Sequence, residues 1–113
     1  MYNFTVMHRN DPVARVEVSD SHKAAQIEKY IPDSITQPFS GNDLSINRIY
    51  QFLKNRCYED GRQGLNEILS QAGLTENDPW KWNQITHGVT WEDDLWIKFD
   101  GEDIRWENVR WKR

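Results

Sequence analysis

At 113 residues the chain is long enough for one domain with a single core, residues 1–113, and too short for two. An aromatic content of 12% beside 28% charged residues excludes a disordered tail, and no run approaches the roughly 18 apolar residues that a membrane span needs. The net charge of −4 is unevenly spread: residues 1–56 carry seven basic and six acidic side chains (+1), and residues 57–113 carry seven and twelve (−5).

The chain starts with alternation. YNFTVM (residues 2–7) and VARVEV (residues 13–18) alternate apolar and polar residues around Asn10-Asp11-Pro12, which predicts two strands joined by a turn. Residues 20–30 read as a helix that begins near Asp20 or Ser21 and is ended by Pro32, and IPDSITQPFSGN reads as a loop. Ile46, Ile49, Tyr50, Leu53 and Cys57 then form a helical stripe, with Ser40, Asn42 or Asp43 available to cap it. A capping box at Asp60 and Gln63 opens a second helix with the stripe Leu65, Ile68, Leu69 and Ala72, closed by Gly73-Leu74. Asp78-Pro79 starts a third, carrying Trp80, Trp82 and Ile85 and ending near Gly88.

Leu95, Ile97 and Phe99 alternate with Trp96 and Lys98, and Ile104 and Trp106 alternate with Arg105 and Glu107, about an Asp100-Gly101 turn. That pattern predicts a C-terminal hairpin with Leu95, Ile97 and Phe99 facing the core and Trp96 on the other face. The expected fold is α+β: an antiparallel sheet of about four strands, from N-terminal and C-terminal hairpins, with about three helices on one face.

Seven acids (Glu92, Asp93, Asp94, Asp100, Glu102, Asp103, Glu107) face only Lys98 and Arg105 within residues 86–107. As conformational features, Asp100, Glu102 and Asp103 suit a turn, and Glu92, Asp93 and Asp94 discourage edge-to-edge pairing of the strand they precede. As chemistry, Asp93 or Asp94 with Glu102 would offer oxygen ligands to a magnesium ion, and His87 would serve as a general base beside Asp93 or Asp94. His87 before Gly88 also suits a helix C-terminus. An acid-x-lysine nuclease motif would need an acid at Trp96 and fails there. His8, His22, His87 and Cys57 lack the paired spacing of a zinc site, Cys57 continues an apolar stripe, and there is no glycine-rich phosphate loop. No cofactor and no metal is therefore expected. The lone Cys57 leaves no internal disulfide and suits a reducing compartment, and MYNFTVMHRN lacks the pattern of a secretion signal, so a cytoplasmic setting is expected. Clustered base occurs only at Arg110-Trp111-Lys112-Arg113, so direct nucleic-acid binding is not expected.

All six tryptophans (Trp80, Trp82, Trp91, Trp96, Trp106, Trp111) fall in the last third, more than a core of this size buries. Trp82 and Trp106 suit the core; tryptophan left exposed among acids is the make-up of a protein-interaction hot spot.

INRIYQFLKNRCYEDGRQGLNEILSQAGL, DPWKWNQITHGVTWEDDLWIKFDGEDIRWENV and the DPVARVEV start resemble a family of small, largely uncharacterised proteins of Firmicutes genomes and mobile elements. Members are often encoded beside genes for HipA-like kinase-fold proteins, the toxin component of toxin–antitoxin systems. The resemblance rests on Arg56-Cys57 with Arg62, Ala72-Gly73-Leu74, Thr86-His87-Gly88, Asp94 with Trp96-Ile97, and Gly101-Glu102. It departs at Tyr58-Glu59-Asp60-Gly61, where the family is more basic and contains proline. It implies a protein partner and carries over no catalytic residue.

The expected function is that of a non-catalytic protein-binding regulator or inhibitor of a bacterial mobile element. It would be an antitoxin or accessory partner of a HipA-like kinase, or an anti-CRISPR-like inhibitor whose acidic hairpin blocks a basic nucleic-acid groove. The expected contact surface is Trp91, Glu92, Asp93, Asp94, Trp96, Glu102 and Asp103. The alternative is a small metal-dependent enzyme using Asp93, Asp94, Glu102 and His87.

Overall fold

The computed structural model describes residues 2–57, 64–71, 73–74, 78–90 and 93–109. Alternation builds the first hairpin as expected. In β1 (Tyr2–His8) the side chains of Tyr2, Phe4 and Val6 are buried on one face; in β2 (Asp11–Val18) those of Ala14, Val16 and Val18 join them. Phe4 lies opposite Val16 and Val6 opposite Ala14. A register shift between Val6 and Met7 brings Pro12 opposite Met7, an irregularity where the proline's missing N–H is tolerated.

The segment read as a helix over residues 20–30 is instead a turn followed by β3 (Ala25–Lys29), which pairs antiparallel with β2. Ser19 Oγ accepts from the amides of Lys23 and Ala24, and His22 takes φ +56, which a helix does not allow. Ala25 and Ile27 then alternate with exposed Gln26 and Glu28, and pairing with β2 overrides the helical propensity of the alanine, glutamine, glutamate and lysine.

β4 (Leu95–Phe99) pairs antiparallel with β1, with Phe4 opposite Phe99 and Val6 opposite Ile97. The sheet is four-stranded and antiparallel in the order β3-β2-β1-β4, so the α+β class holds with a different fourth strand. The expected strand through Ile104 and Trp106 does not form. Residues 102–105 are irregular, and Trp106–Val109 is a single helical turn, α4. Asn10 fastens it, its Oδ1 accepting from the Trp106 amide and its Nδ2 donating to Glu107.

The helices follow their stripes. α1 (Ile46–Lys54) buries Ile49, Phe52 and Leu53 in the main core with Phe4, Val16 and Ile97. Ser45 is its N-cap, and the Asp43 carboxylate accepts from the Ser45 amide one step earlier. α2 (Leu65–Gln71) buries Leu69 and ends as its glycine predicted: Gly73 at φ +78 donates to Ser70 O and Leu74 to Leu69 O. Its expected capping box lies outside the described residues. α3 (Pro79–Thr86) is capped by Asp78 and ends at His87 in the left-handed region. Trp80 sits in an aromatic cluster, edge-on to Tyr2 at 5.0 Å and stacked on His22 at 4.1 Å, and the Tyr2 hydroxyl donates to Trp80 O at 2.6 Å. No helix among the described residues is long and apolar enough to cross a membrane.

Gly88, the residue after the α3 cap, has φ +65, and a Cβ there would stand 2.9 Å from Ile97 Cδ1 and 3.0 Å from Asn83 Oδ1. Both neighbours are fully buried. Gly88→Ala therefore combines backbone strain with overpacking and is expected to cost about 2–4 kcal/mol in urea unfolding. Gly101→Ala, whose Cβ would meet nothing within 4 Å, carries the backbone strain alone and should cost less.

Candidate functional site

β4 is an outer strand of the sheet, and side chains near it in sequence occupy its free edge. The Leu95 amide donates to Asp93 Oδ1 at 3.1 Å, Ile97 to the carbonyl of His87 at 2.7 Å, and Phe99 to Glu102 Oε1 at 2.8 Å. Leu95 O accepts from Arg56 Nη2 at 3.0 Å. An edge so occupied offers no register for another strand, the physical reason that residues 104–107 do not return along it.

Arg56 is the centre of this arrangement. It leaves α1 almost buried, donates from Nε to Gly88 O, and forks onto Asp93, with Nη2 2.6 Å from Oδ1 and Nη1 3.2 Å from Oδ2. The Asp93 carboxylate thus carries an arginine and a strand amide together. Beside it, fully buried Asn83 donates from Nδ2 to Leu53 O and Pro79 O, fixing α1 against α3, while its Oδ1 has no hydrogen-bond partner among the described residues.

The acids expected to form one contact surface fall into separate pairs. Asp93 is bound to Arg56, Asp94 to Arg9 at 2.9 Å, and Glu102 Oε2 to His87 Nε2 at 2.8 Å. Asp100, outside the expected surface, accepts both arms of Arg15 at 2.7 Å, which holds its carboxyl below the usual carboxylate range. Asp103 is exposed and makes no ion pair with the described residues. Trp91 and Glu92 lie outside the described residues, as does Trp111.

Trp96 corrects the expectation of an exposed ring. It does point away from the main core, as the alternation requires, yet it is 0% exposed, opposite buried Met7, with Nε1 donating to Arg9 O at 2.6 Å. The burial of Trp96 beside Met7 is not visible in the period of β4. The metal reading fares no better: Asp93 and Glu102 cap amides at opposite ends of β4, about 13 Å apart along the strand. Among the described residues no group of three or more His, Cys, Asp or Glu could hold a metal ion.

A different surface emerges along α1. A groove of about 610 Å³ is lined by Pro38, Phe52 and Leu95 together with the exposed side chains of Asn47 and Gln51 on α1 and of Asn55 at its C-cap. Arg48, Asp43, Arg56, Asp93 and Thr90 complete it. Arg48 is held by the carbonyls of Pro38 and Ser40, at 3.0 and 3.1 Å. Two arginines and two aspartates leave the groove neutral. Its signal in the sequence is three amides at i, i+4 and i+8, on the face opposite Ile49 and Leu53, where a polar row reads as solvated surface.

Arg56→Met removes the fork and leaves Gly88 O and Leu95 O without this donor and Asp93 without its cation, so the variant is expected to lose about 3–5 kcal/mol by chemical denaturation. Asp94→Asn at the exposed Arg9 pair should cost under about 1 kcal/mol. Burial pushes the Cys57 thiol up to about 11 from 9.0, and burial likewise raises the Tyr2 phenol. A raised folded value means stability fully present below about pH 9 and lost as pH climbs toward 11. Urea midpoints measured from pH 8 to 11 should fall, and the fall should shrink in Cys57→Ala.

Comparison with protein-family models, with curated proteins and with solved structures finds no match.

Proposed function

We propose that the chain is a non-catalytic protein-binding regulator and that the α1 groove, rather than the acidic C-terminal segment, is its contact surface. The observation that carries this is the exposed row Asn47, Gln51 and Asn55 lining a groove with Pro38, Phe52 and Leu95, with no hydrogen bond to these side chains from any described residue. Hydrogen-bonding capacity left open beside nearly buried aromatic and aliphatic side chains is how protein-binding surfaces are built. The acidic segment supports contact less well, because Asp93, Asp94 and Asp100 are already matched by Arg56, Arg9 and Arg15. Of the two partners that the sequence suggests, a kinase-fold protein held by an apolar, salt-resistant contact is therefore favoured over a basic nucleic-acid groove blocked by charge.

The enzyme reading keeps one observation, the 2.8 Å contact of His87 with Glu102. Both oxygens of that carboxylate are occupied, one by the imidazole and one by the Phe99 amide. That favours a fastening over a proton relay.

An affinity pull-down of the tagged chain from host lysate, at low and high salt, tests the proposal when run beside Gln51→Arg and beside Asp94→Asn with Asp103→Asn. One stoichiometric partner retained at high salt, lost with Gln51→Arg and kept by the aspartate variant is expected. A partner lost at high salt and by the aspartate variant would return the function to the acidic segment.

A further inference from the structure

The two outer strands of the sheet end differently. The free edge of β4 is occupied at Leu95, Ile97 and Phe99, whereas that of β3 is open. Which groups are open follows from the pairing with β2. Tyr30 donates to Val13 O and Ala24 O accepts from the Ser19 amide, both at 2.9 Å. Bonded pairs alternate along an antiparallel ladder, so Gln26 and Glu28 also face β2, and the N–H and C=O groups of Ala25, Ile27 and Lys29 point outward. None of these outward groups has a hydrogen-bond partner among the described residues. Proline, a bulge or an inward-pointing charge would close such an edge. β3 has neither of the first two, and Lys29 is drawn back onto Asp33 and the Gly41 carbonyl of its own chain.

From this we infer that the chain pairs with a second copy of itself, β3 against β3, antiparallel about Ile27. A row of main-chain donors and acceptors is met in full only by another strand. The sequence AQIEK is complementary to its own reverse. With Ile27 opposite Ile27 of the second copy, Ala25 falls opposite Lys29 and Gln26 opposite Glu28. The three outward residues then form the bonded pairs, each exchanging two hydrogen bonds, and no other antiparallel register uses all three. On the exposed face amide meets carboxylate, and no like charges stand opposite. On the other face half-buried Ala25 and Ile27, which border the core, gain apolar neighbours. The contact is one five-residue strand, smaller than a stable interface needs, so the dimer is weak, with a dissociation constant of about 0.1 mM. This surface shares no residue with the α1 groove.

Sedimentation equilibrium and amide hydrogen exchange on the full chain, from about 10 µM to 1 mM, bracket that constant. The mass is expected to climb toward that of two chains. The Ala25, Ile27 and Lys29 amides should gain protection with it, while those of Gln26 and Glu28, already bonded to β2, change little. Gln26→Glu sets carboxylate against carboxylate in both symmetry-related pairs and should weaken the dimer roughly fivefold. Adding Glu28→Gln restores one amide and one carboxylate to each pair and should bring affinity back to within about twofold. Glu17, which faces position 26 within one copy, is common to both variants. Ala25→Pro removes an outward donor and no bond to β2, and should weaken the dimer at least about tenfold. A monomer throughout the range, a dimer indifferent to Gln26→Glu, or a loss that Glu28→Gln does not rescue would overturn the inference. So would a monomer whose Ala25, Ile27 and Lys29 amides are protected only in host lysate, which would give the edge to a foreign strand.

Discussion

One buried guanidinium ties the end of α1 to the segment after α3 and to the outer edge of β4. Arg56 stands just past the end of α1. Its Nε reaches the Gly88 carbonyl beyond α3, Nη1 the carboxylate of Asp93, and Nη2 the same carboxylate, the hydroxyl of Thr90 and the carbonyl of Leu95 on the outer edge of β4. Arginine suits this position and lysine does not, since only a planar fork meets a carboxylate and two carbonyls at once. The same contacts set one wall of the α1 groove, because Arg56, Thr90, Asp93 and Leu95 all line it. The fold and the proposed site therefore share a keystone. A disturbance of the Arg56–Asp93 pair reaches the groove and the outer edge of β4 together.

The elements legible in the sequence are those whose causes are local. The stripe of α1 from Ile46 to Leu53, the Asp78-Pro79 start of α3 and the Gly73-Leu74 close of α2 each need only a few neighbouring residues, and each is where it was expected, although α1 ends before Cys57 and is capped by Ser45 rather than by Ser40, Asn42 or Asp43. β3 and α4 depend on distant partners. AQIEK is too short to distinguish a strand from a helix until β2 lies beside it, and Ile104 to Trp106 alternates like a strand although β4 leaves no edge for one. The acids are the sharpest case. Their number is plain in the sequence, but Arg9 lies 85 residues from Asp94 and Arg15 lies 85 from Asp100, so neutralisation across the fold is invisible along it. The groove is illegible for the opposite reason, since its amides resemble any solvated helix face until Pro38 and Leu95, distant along the chain, are seen to line it with them.

This arrangement changes what the acidic composition means. A formal charge of −4 suggests a chain that repels anions and attracts bases, yet much of the excess acid near β4 is structural. Asp93 and Glu102 satisfy strand amides, while Asp94 and Asp100 clamp the first hairpin through Arg9 and Arg15. Edge carboxylates of this kind keep an outer strand soluble without a covering element. Charge that serves the fold in this way is less available to any partner.

The order of the strands has a consequence for how the chain is made. β1 sits inside the sheet between β2 and β4, so it emerges from the ribosome among the first segments, yet Phe4 waits for Phe99 and Val6 for Ile97. β2 and β3 can zip up within the first 29 residues. The other edge of β1, with apolar Phe4 and Val6 on its inner face, then stays uncovered through about 65 further residues of synthesis until β4 begins, at roughly 5–20 residues per second. For those seconds the nascent chain carries an open template for strand pairing, and a neighbouring nascent copy presents the same one. Slow translation of α1 to α3 would lengthen that interval, whereas rapid delivery of β4 would close it.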